Sequence, residues 1–288
     1  VCFVGIFSNI LVIVVFARQG FKDSTSISMT TVTIWDLIKC LGGFVQRLAG
    51  PLVLASPALA YSWTNVSLVV CNYLVSFSCY VTSVLAAYVA VERCLCVTVP
   101  LKVKWLLTPK IALIICVTIS VVVFGCFVVI FGIYDVFWVY DPKYGTDVAV
   151  YKYNAFSANN TALFGYYNMS GVLWPLVSLV VIVLSTFIIS YKLQKSSEFR
   201  NRAKSVKQAA ISRRDRQVIK MLLVVIIIYI VNLFPRVAHY LGKYIVFEYY
   251  YLRRYHNLFA IMAYAVFVFD YVNGSVNLFV FYAMSSSF

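Results

Sequence analysis

Residues 109–134 read PKIALIICVTISVVVFGCFVVIFGIY, and no charged residue follows Lys110 within this stretch. A helix needs about 20 mostly apolar residues to cross the hydrocarbon layer of a bilayer, so the stretch predicts a membrane-spanning helix. Six other stretches are similarly apolar, and none of the seven alternates as barrel strands do. The predicted spans cover residues 1–17, 28–54, 67–97, 109–134, 171–192, 215–242 and 257–283.

The composition of the whole chain agrees with a polytopic helical membrane protein. Of 288 residues, 62% are hydrophobic and 12% are charged, whereas a soluble domain is roughly half apolar and a quarter charged. This composition excludes an ordinary cytosolic enzyme, a disordered tail and a disulfide-stapled secreted module. We therefore predict an all-α membrane protein, a seven-transmembrane helix bundle forming one domain over residues 1–288. Because the chain starts inside an apolar run without Met, we expect a fragment whose first helix is truncated.

Basic residues are concentrated on one side of the predicted membrane. The loops 18–27, 98–108 and 193–214, with their helix ends, hold 15 of the 24 Lys and Arg residues, and the opposite ends hold 7. Cytoplasmic loops are rich in these residues, so we expect the N-terminus outside. The net charge of +14 then indicates contact with anionic membrane lipids and not with nucleic acid, which would need a soluble basic face.

Three Asn-x-Ser/Thr triplets agree with this orientation. They begin at Asn65, Asn159 and Asn168, in loops that the charge distribution places outside. Such triplets accept N-linked glycans in surface loops, so we expect a glycoprotein.

Several polar and ionisable residues lie at membrane depth, where they are costly and therefore mark candidate functional positions. Lys39 lies one turn from Asp36, so two interpretations of this pair remain open: local neutralisation, or a hydrated polar centre between helices. The candidates are Asn9, Asp36, Glu92, Arg93, Asp270, Asn273 and Asn277.

The inner end of the third span contains a string of motif residues: Glu92, Arg93, Cys94, Val97, Pro100 and Leu101. This string resembles the rhodopsin-like (class A) G-protein-coupled receptors. That family has an acid-Arg-aromatic triplet, an apolar residue four positions after the Arg, and Pro-Leu at positions seven and eight. The spacing matches throughout, and the departure is Cys94 at the aromatic position.

Further positions extend the resemblance over essentially the whole chain. Asn9 and Asp36 match polar residues of the family's first two helices, and Pro235 matches the kink proline of its sixth. The stretch 273–277 matches the polar end of helix seven, where the family continues with Pro and Tyr. Here those two positions are Leu278 and Phe281.

The resemblance implies a multi-pass plasma-membrane receptor that binds an extracellular ligand and activates a heterotrimeric G protein through helix rearrangement. Phrases at 18–24 and 282–286 further resemble molluscan chemosensory-receptor-like sequences. They favour a small chemosensory cue, with a neuropeptide receptor of the same family as the alternative. A seven-helix membrane transporter is the alternative from another class. No convergent catalytic set is present, so an enzyme is not expected.

The resemblance also assigns roles at the inner side. Arg93 is expected to be held in the inactive state and to contact the G protein in the active one, with Glu92 as its adjacent restraint. Asp215 either latches Arg93 or offsets the arginines around it in a solvated basic loop. Pro235 is either the pivot of helix six or a static kink. The remaining coupling and switch residues are Val97, Pro100, Leu101, Asn277 and Phe281.

The outer ends of the spans contain candidate ligand-binding residues. Arg47, Arg236 and His239 are basic, and Asp270 lies in the seventh span. Arg binds carboxylates through paired hydrogen bonds, which suits an acidic ligand group. The alternative is that these residues reach the lipid headgroups or pair with Asp270. Val75 occupies the position where amine receptors carry Asp, so a biogenic amine is disfavoured.

Two further expectations concern a cation and a disulfide. Asp36, Thr82, Asn273 and Asn277 match the positions that line the family's sodium pocket, and ordinary hydrogen bonding between helices is the alternative. No other cofactor is expected. Because no Cys follows Cys126, the loop 135–170 lacks a partner for the family's usual bridge to helix three. That loop must then be ordered by packing or remain mobile.

Overall fold

The computed structural model of the chain describes residues 1–21, 23–202, 227–228, 230–243, 245–246, 248–249 and 253–284. Within these ranges, side chains are described except at 101, 104, 161, 164, 193, 196–202, 260 and 276–284. The described chain is mostly helical, with one β-hairpin, and forms a membrane-type helix bundle.

The helices are α1 (Cys2–Gln19), α2 (Ser24–Arg47), α3 (Ala49–Ala55), α4 (Pro57–Ser67), α5 (Tyr73–Thr98), α6 (Pro100–Leu106), α7 (Pro109–Gly125), α8 (Ala155–Asn159), α9 (Thr161–Arg202), α10 (230–243) and α11 (His256–Met284). A π-helical turn, Leu68–Asn72, joins α4 to α5, and a 3-10 turn, Val128–Gly132, follows α7. Six helical segments of the described chain are long and apolar enough to cross a membrane. Much of the sixth predicted span, 215–242, lies outside the described residues, and its described part belongs to α10.

Polar side chains fix where several helices begin. Asp23 accepts a hydrogen bond from the Ser26 amide at 2.7 Å and starts α2. Ser56 accepts one from the Leu59 amide at 3.3 Å, directly before Pro57. Since Pro at the first helical position lacks only an amide that would have no partner there, this arrangement starts α4. The helix leading into the third span therefore begins at Pro57, whereas the sequence predicted a loop up to residue 66.

Helix α5 lies at the centre of the bundle and contacts α2, α7 and α9. Its apolar surroundings are aromatic, because the Phe127 ring stacks on Phe77 and Tyr80 with centroid distances of 5.0 and 4.6 Å. Helix α7, in contrast, exposes large apolar side chains such as Ile114 and Val121. Apolar side chains outside and polar ones between helices are the pattern of a bundle surrounded by lipid.

The loop predicted at 135–170 contains a β-hairpin. Strands β1 (Tyr134–Asp141) and β2 (Thr146–Tyr153) pair antiparallel, from Tyr134 opposite Tyr153 to Asp141 opposite Thr146. Gly145 closes the turn with a positive φ of 64°, a conformation that glycine adopts without a steric cost. The two aromatic and β-branched runs around Pro-Lys-Tyr-Gly are a hairpin signal that the span analysis overlooked.

Packing and hydrogen bonds hold this hairpin against the bundle. Ala149, which is fully buried, donates its amide to Ser62 Oγ at 3.0 Å and accepts a bond from Asn65 Nδ2 at 2.8 Å. The Tyr134 and Tyr73 hydroxyls lie 2.6 Å apart, and burial, followed by this neighbour, raises the pKa of Tyr134. All eight cysteines are described, and each is unpaired. The hairpin loop is thus ordered by packing without a disulfide.

We expect Asn65→Ala to loosen the hairpin. The substitution removes the donor to the buried Ala149 carbonyl, and leaving such a group without a partner costs about 1–3 kcal/mol. The measurement is the Tm of the purified protein together with hydrogen exchange of residues 148–150, which should speed up. Asn159→Ala, at an exposed position, is the matched control. Equal behaviour of the two variants would show that the Asn65 contact does not anchor the hairpin.

Candidate functional site

Two buried ion pairs lie between the helices. On α2, Lys39 Nζ contacts Asp36 Oδ1, and both residues are 1% exposed. Arg236 on α10 pairs with Asp270 on α11, and these residues are also buried. Of the two interpretations of Asp36, the structure therefore has the local pair. It likewise pairs Arg236 with Asp270, which was one of the open alternatives for that arginine.

Helices α1, α2 and α11 meet at the first ion pair. Asn9 Nδ2 donates to the Gly274 carbonyl at 2.7 Å and to the Gly5 carbonyl at 2.8 Å. A Cβ atom at Gly274 would lie 2.9 Å from Lys39 Cε and 3.3 Å from Asp36 Oδ1. Gly274 thus makes room for the pair. Sequence reasoning gave Gly274 no role in the site, whereas the spacing of three from Asp36 had already indicated the pairing of Lys39.

A small internal cavity lies between the two ion pairs. Its volume is about 10 Å³, which is close to the space needed for one water molecule. Of the residues expected around sodium, Thr82 and Asn273 line it, and Thr82 Oγ1 donates to the Cys79 carbonyl at 3.1 Å. The described side chains contain no cluster of three His, Cys, Asp or Glu suited to a metal ion. The lining residues are Lys39, Cys79, Thr82, Ser83, Ala86, Ile182, Asn232, Leu233, Arg236, Asp270 and Asn273.

Near the C-terminal end of α5, Glu92 connects two helices. Its fully buried carboxylate accepts hydrogen bonds from Ser24 Oγ at 2.6 Å, Thr25 Oγ1 at 3.2 Å and Ser28 Oγ at 2.9 Å, all on α2. Glu92 was expected to restrain Arg93. In the structure its carboxylate instead binds these three hydroxyl groups of α2. Glu92 therefore fixes α5 to α2. The carboxylate needs tertiary partners that its position in the sequence does not reveal.

Arg93 lies beside Glu92 and is half-buried. Its Nε and Nη2 atoms are buried and have no hydrogen-bond partner among the residues that the structure describes. Asp215, the proposed latch partner, lies outside the described residues, so the latch stays a prediction. Pro100 starts α6, and Val97 packs against the apolar cluster between α5, α9 and α10. The side chains of Leu101, Asn277 and Phe281 are outside the described set.

The candidate ligand residues do not all come together. Arg236 extends over the Tyr80 ring, with 5.3 Å between its Cζ and the ring centroid. His239 is buried, one turn further along α10, and its Nδ1 lies 2.8 Å from the Tyr249 hydroxyl. Arg47 is exposed at the end of α2. Val75 is fully buried in an apolar cluster with Cys79 and Tyr271.

A groove of about 460 Å³ lies beside His239, between α10 and the start of α11. Its walls are apolar and aromatic, and His239 and Tyr249 supply the polar groups beside it. This volume falls in the range of small-molecule pockets, about 300–1,000 Å³. The lining residues are Ala238, His239, Gly242, Val246, Tyr249, Tyr255, Leu258 and Met262.

The three candidate glycosylation sites differ in environment. Asn159 is exposed at the end of α8. The Asn65 amide nitrogen is engaged with Ala149. Asn168 lies within α9, and its Oδ1 accepts a hydrogen bond from Lys243 Nζ at 2.5 Å. Asn159 is thus the candidate with an accessible side chain.

We expect Asp270→Asn to destabilise the bundle strongly. The change leaves the Arg236 guanidinium buried without its counter-charge, which costs about 3–5 kcal/mol. Denaturant unfolding of the purified protein in detergent measures the loss. Asp135→Asn on the exposed surface of β1 is the control, and the uncharged double variant Arg236→Met/Asp270→Leu should recover stability. An Asp270→Asn variant as stable as Asp135→Asn would contradict the assignment.

Comparison with known proteins identifies the family of this chain. A search of curated proteins gave no match. The family model described as serpentine type 7TM GPCR chemoreceptor Srw matches residues 1–288. That family is one of receptors and not of enzymes, and its description agrees with the receptor motif around Arg93. The molluscan resemblance stays a prediction. Because the match covers the whole chain, the protein belongs to the Srw family of serpentine seven-transmembrane G-protein-coupled chemoreceptors.

Proposed function

We propose that this chemoreceptor lies in the plasma membrane with its N-terminus outside, binds a small extracellular cue, and activates a heterotrimeric G protein through helix rearrangement. The observation that supports it best is the Arg236–Asp270 pair between α10 and α11. A buried ion pair adds little net stability compared with an apolar contact. Its position between two mobile helices of the proposed mechanism therefore favours a switching role over simple reinforcement.

The proposed movement centres on α10. Pro235 cannot donate a hydrogen bond to the preceding turn, so we expect α10 to bend next to Arg236. The ion pair fixes α10 to α11 at this bend, and the inner half of α10 is then the part that moves. At the inner end of α5, Glu92 is occupied by α2, which leaves the Arg93 guanidinium to exchange partners when α10 moves. A ligand drives this change by binding one arrangement more tightly than the other.

The outer surroundings favour a small ligand of low charge. The positive charge of Arg236 is neutralised by Asp270, so it is not available to anchor an acidic group unless the pair breaks. The groove beside His239 offers apolar walls with a hydrogen-bonding edge at Tyr249. A neuropeptide remains the alternative ligand within the family. A membrane transporter, the alternative from another class, predicts substrate flux without a G-protein response.

An epitope inserted between Tyr144 and Gly145 tests the orientation. This position is the turn of the hairpin, so the insertion leaves both strands intact. We expect antibody labelling on intact cells, because the hairpin lies on the predicted outer side. The same epitope between Leu107 and Thr108, on the predicted cytoplasmic side, should be labelled only after permeabilisation. The reverse pattern would invert the proposed orientation.

Arg93→Ala tests the coupling. Cells expressing the receptor are exposed to two pools, small waterborne metabolites and amidated peptides, and G-protein dissociation is recorded. We expect a wild-type response to the metabolite pool and a fall to background in Arg93→Ala with unchanged surface expression. Arg254→Ala, with a side chain 73% exposed, is the charge-matched control.

Each remaining outcome of that experiment has a definite meaning. A normal response of Arg93→Ala would refute the role of Arg93. A response to the peptide pool alone would identify the neuropeptide alternative. Uptake of a labelled metabolite without G-protein dissociation would identify a transporter.

A further inference from the structure

The Asp36 carboxylate already has a positive counter-charge beside it, supplied by Lys39 of the same chain. Lys39 Nζ contacts Asp36 Oδ1, and neither residue reaches solvent. Asp270 lines the same small cavity as Lys39. With Arg236 on Asp270, the cluster holds two positive and two negative charges and is balanced without any added ion.

The surrounding chain is shaped around this ammonium group. A side chain at 274 would come within 3.0 Å of Lys39 Nζ, so the glycine there keeps the space open. Thr82 directs its hydroxyl to the Cys79 carbonyl, and Asn273 lines the remaining void of about 10 Å³. A sodium ion beside Asp36 would therefore sit next to Lys39 in a medium of low dielectric. Like charges repel strongly there, since little solvent screens them.

We propose that Lys39 is a built-in cation that takes the place of sodium at Asp36, and that the receptor is consequently insensitive to external sodium. The residues that resemble a sodium pocket do not fit the ion while Lys39 is present. The lysine supplies a permanent positive charge at Asp36, which a bound ion would supply only at sufficient concentration. This proposal does not depend on G-protein activation.

The test measures the Tm of the purified, ligand-free receptor in sodium chloride and in choline chloride at equal ionic strength. We expect the same Tm in both salts for the wild type. In Lys39→Met, whose side chain fills the space without a charge, the Asp36 carboxylate loses its lysine counter-charge. Sodium should then raise the Tm by about 2–4 °C, as expected for a ligand several times above its Kd.

Two further variants complete the test. Asp36→Asn/Lys39→Met lacks the carboxylate and should lose the sodium response, and Lys39→Arg keeps the cation and should remain insensitive. A sodium-selective rise in the wild type would overturn the proposal, as would a folded Lys39→Met variant with equal Tm in both salts. If Lys39→Met does not fold in either salt, the wild-type and Lys39→Arg comparisons decide. Equal Tm values in both salts then support the proposal, and a sodium-selective rise overturns it.

Discussion

A charge placed between lipid-surrounded helices has no bulk water around it, and the bundle depends on satisfying such charges internally. Asp36 has Lys39, Arg236 has Asp270, and Glu92 has three hydroxyl groups. The Asp36–Lys39 pair lies within α2, whereas the other two arrangements each join two different helices. The relative positions of α2, α5, α10 and α11 are therefore set by where these partners meet, while the apolar surfaces give little directional preference in lipid.

Small residues allow these polar contacts to form. Between membrane helices, close approach of the backbones requires side chains that leave space. A Cβ atom at Gly43 would lie 2.5 Å from the Tyr271 ring, and one at Gly5 would lie 2.5 Å from Cys40 Sγ. Together with Gly274, these positions bring α1, α2 and α11 close enough for Asn9 to reach the opposite backbone. The polar contacts between α1, α2 and α11 therefore depend on the glycines that let these helices approach each other.

Local sequence features predicted the structures that depend on neighbouring residues. They did not predict contacts between residues that are far apart in the chain. Apolar runs predicted the spanning segments, and the spacing of Asp36 and Lys39 allowed their pairing. The partners of Glu92 lie more than sixty residues earlier in the chain, so no local pattern indicated them. Arg236 and Asp270 were left with two interpretations because their pairing depends on how α10 packs against α11. The hairpin was not predicted, because hydropathy over helix-length windows identifies spanning helices and carries no signal for two short strands between them.

The hairpin and the switch region are connected by one continuous helical path. Ser62 and Asn65 hold the hairpin on α4, and α4 continues through the π-helical turn into α5. The same α5 carries Tyr80, whose ring lies against Arg236, and it carries Glu92 and Arg93 near its C-terminal end. A disulfide would fix this end of the path covalently, whereas here two hydrogen bonds at Ala149 hold it. In the proposed mechanism, the ligand shifts the far end of α5 by favouring one of two arrangements of this path.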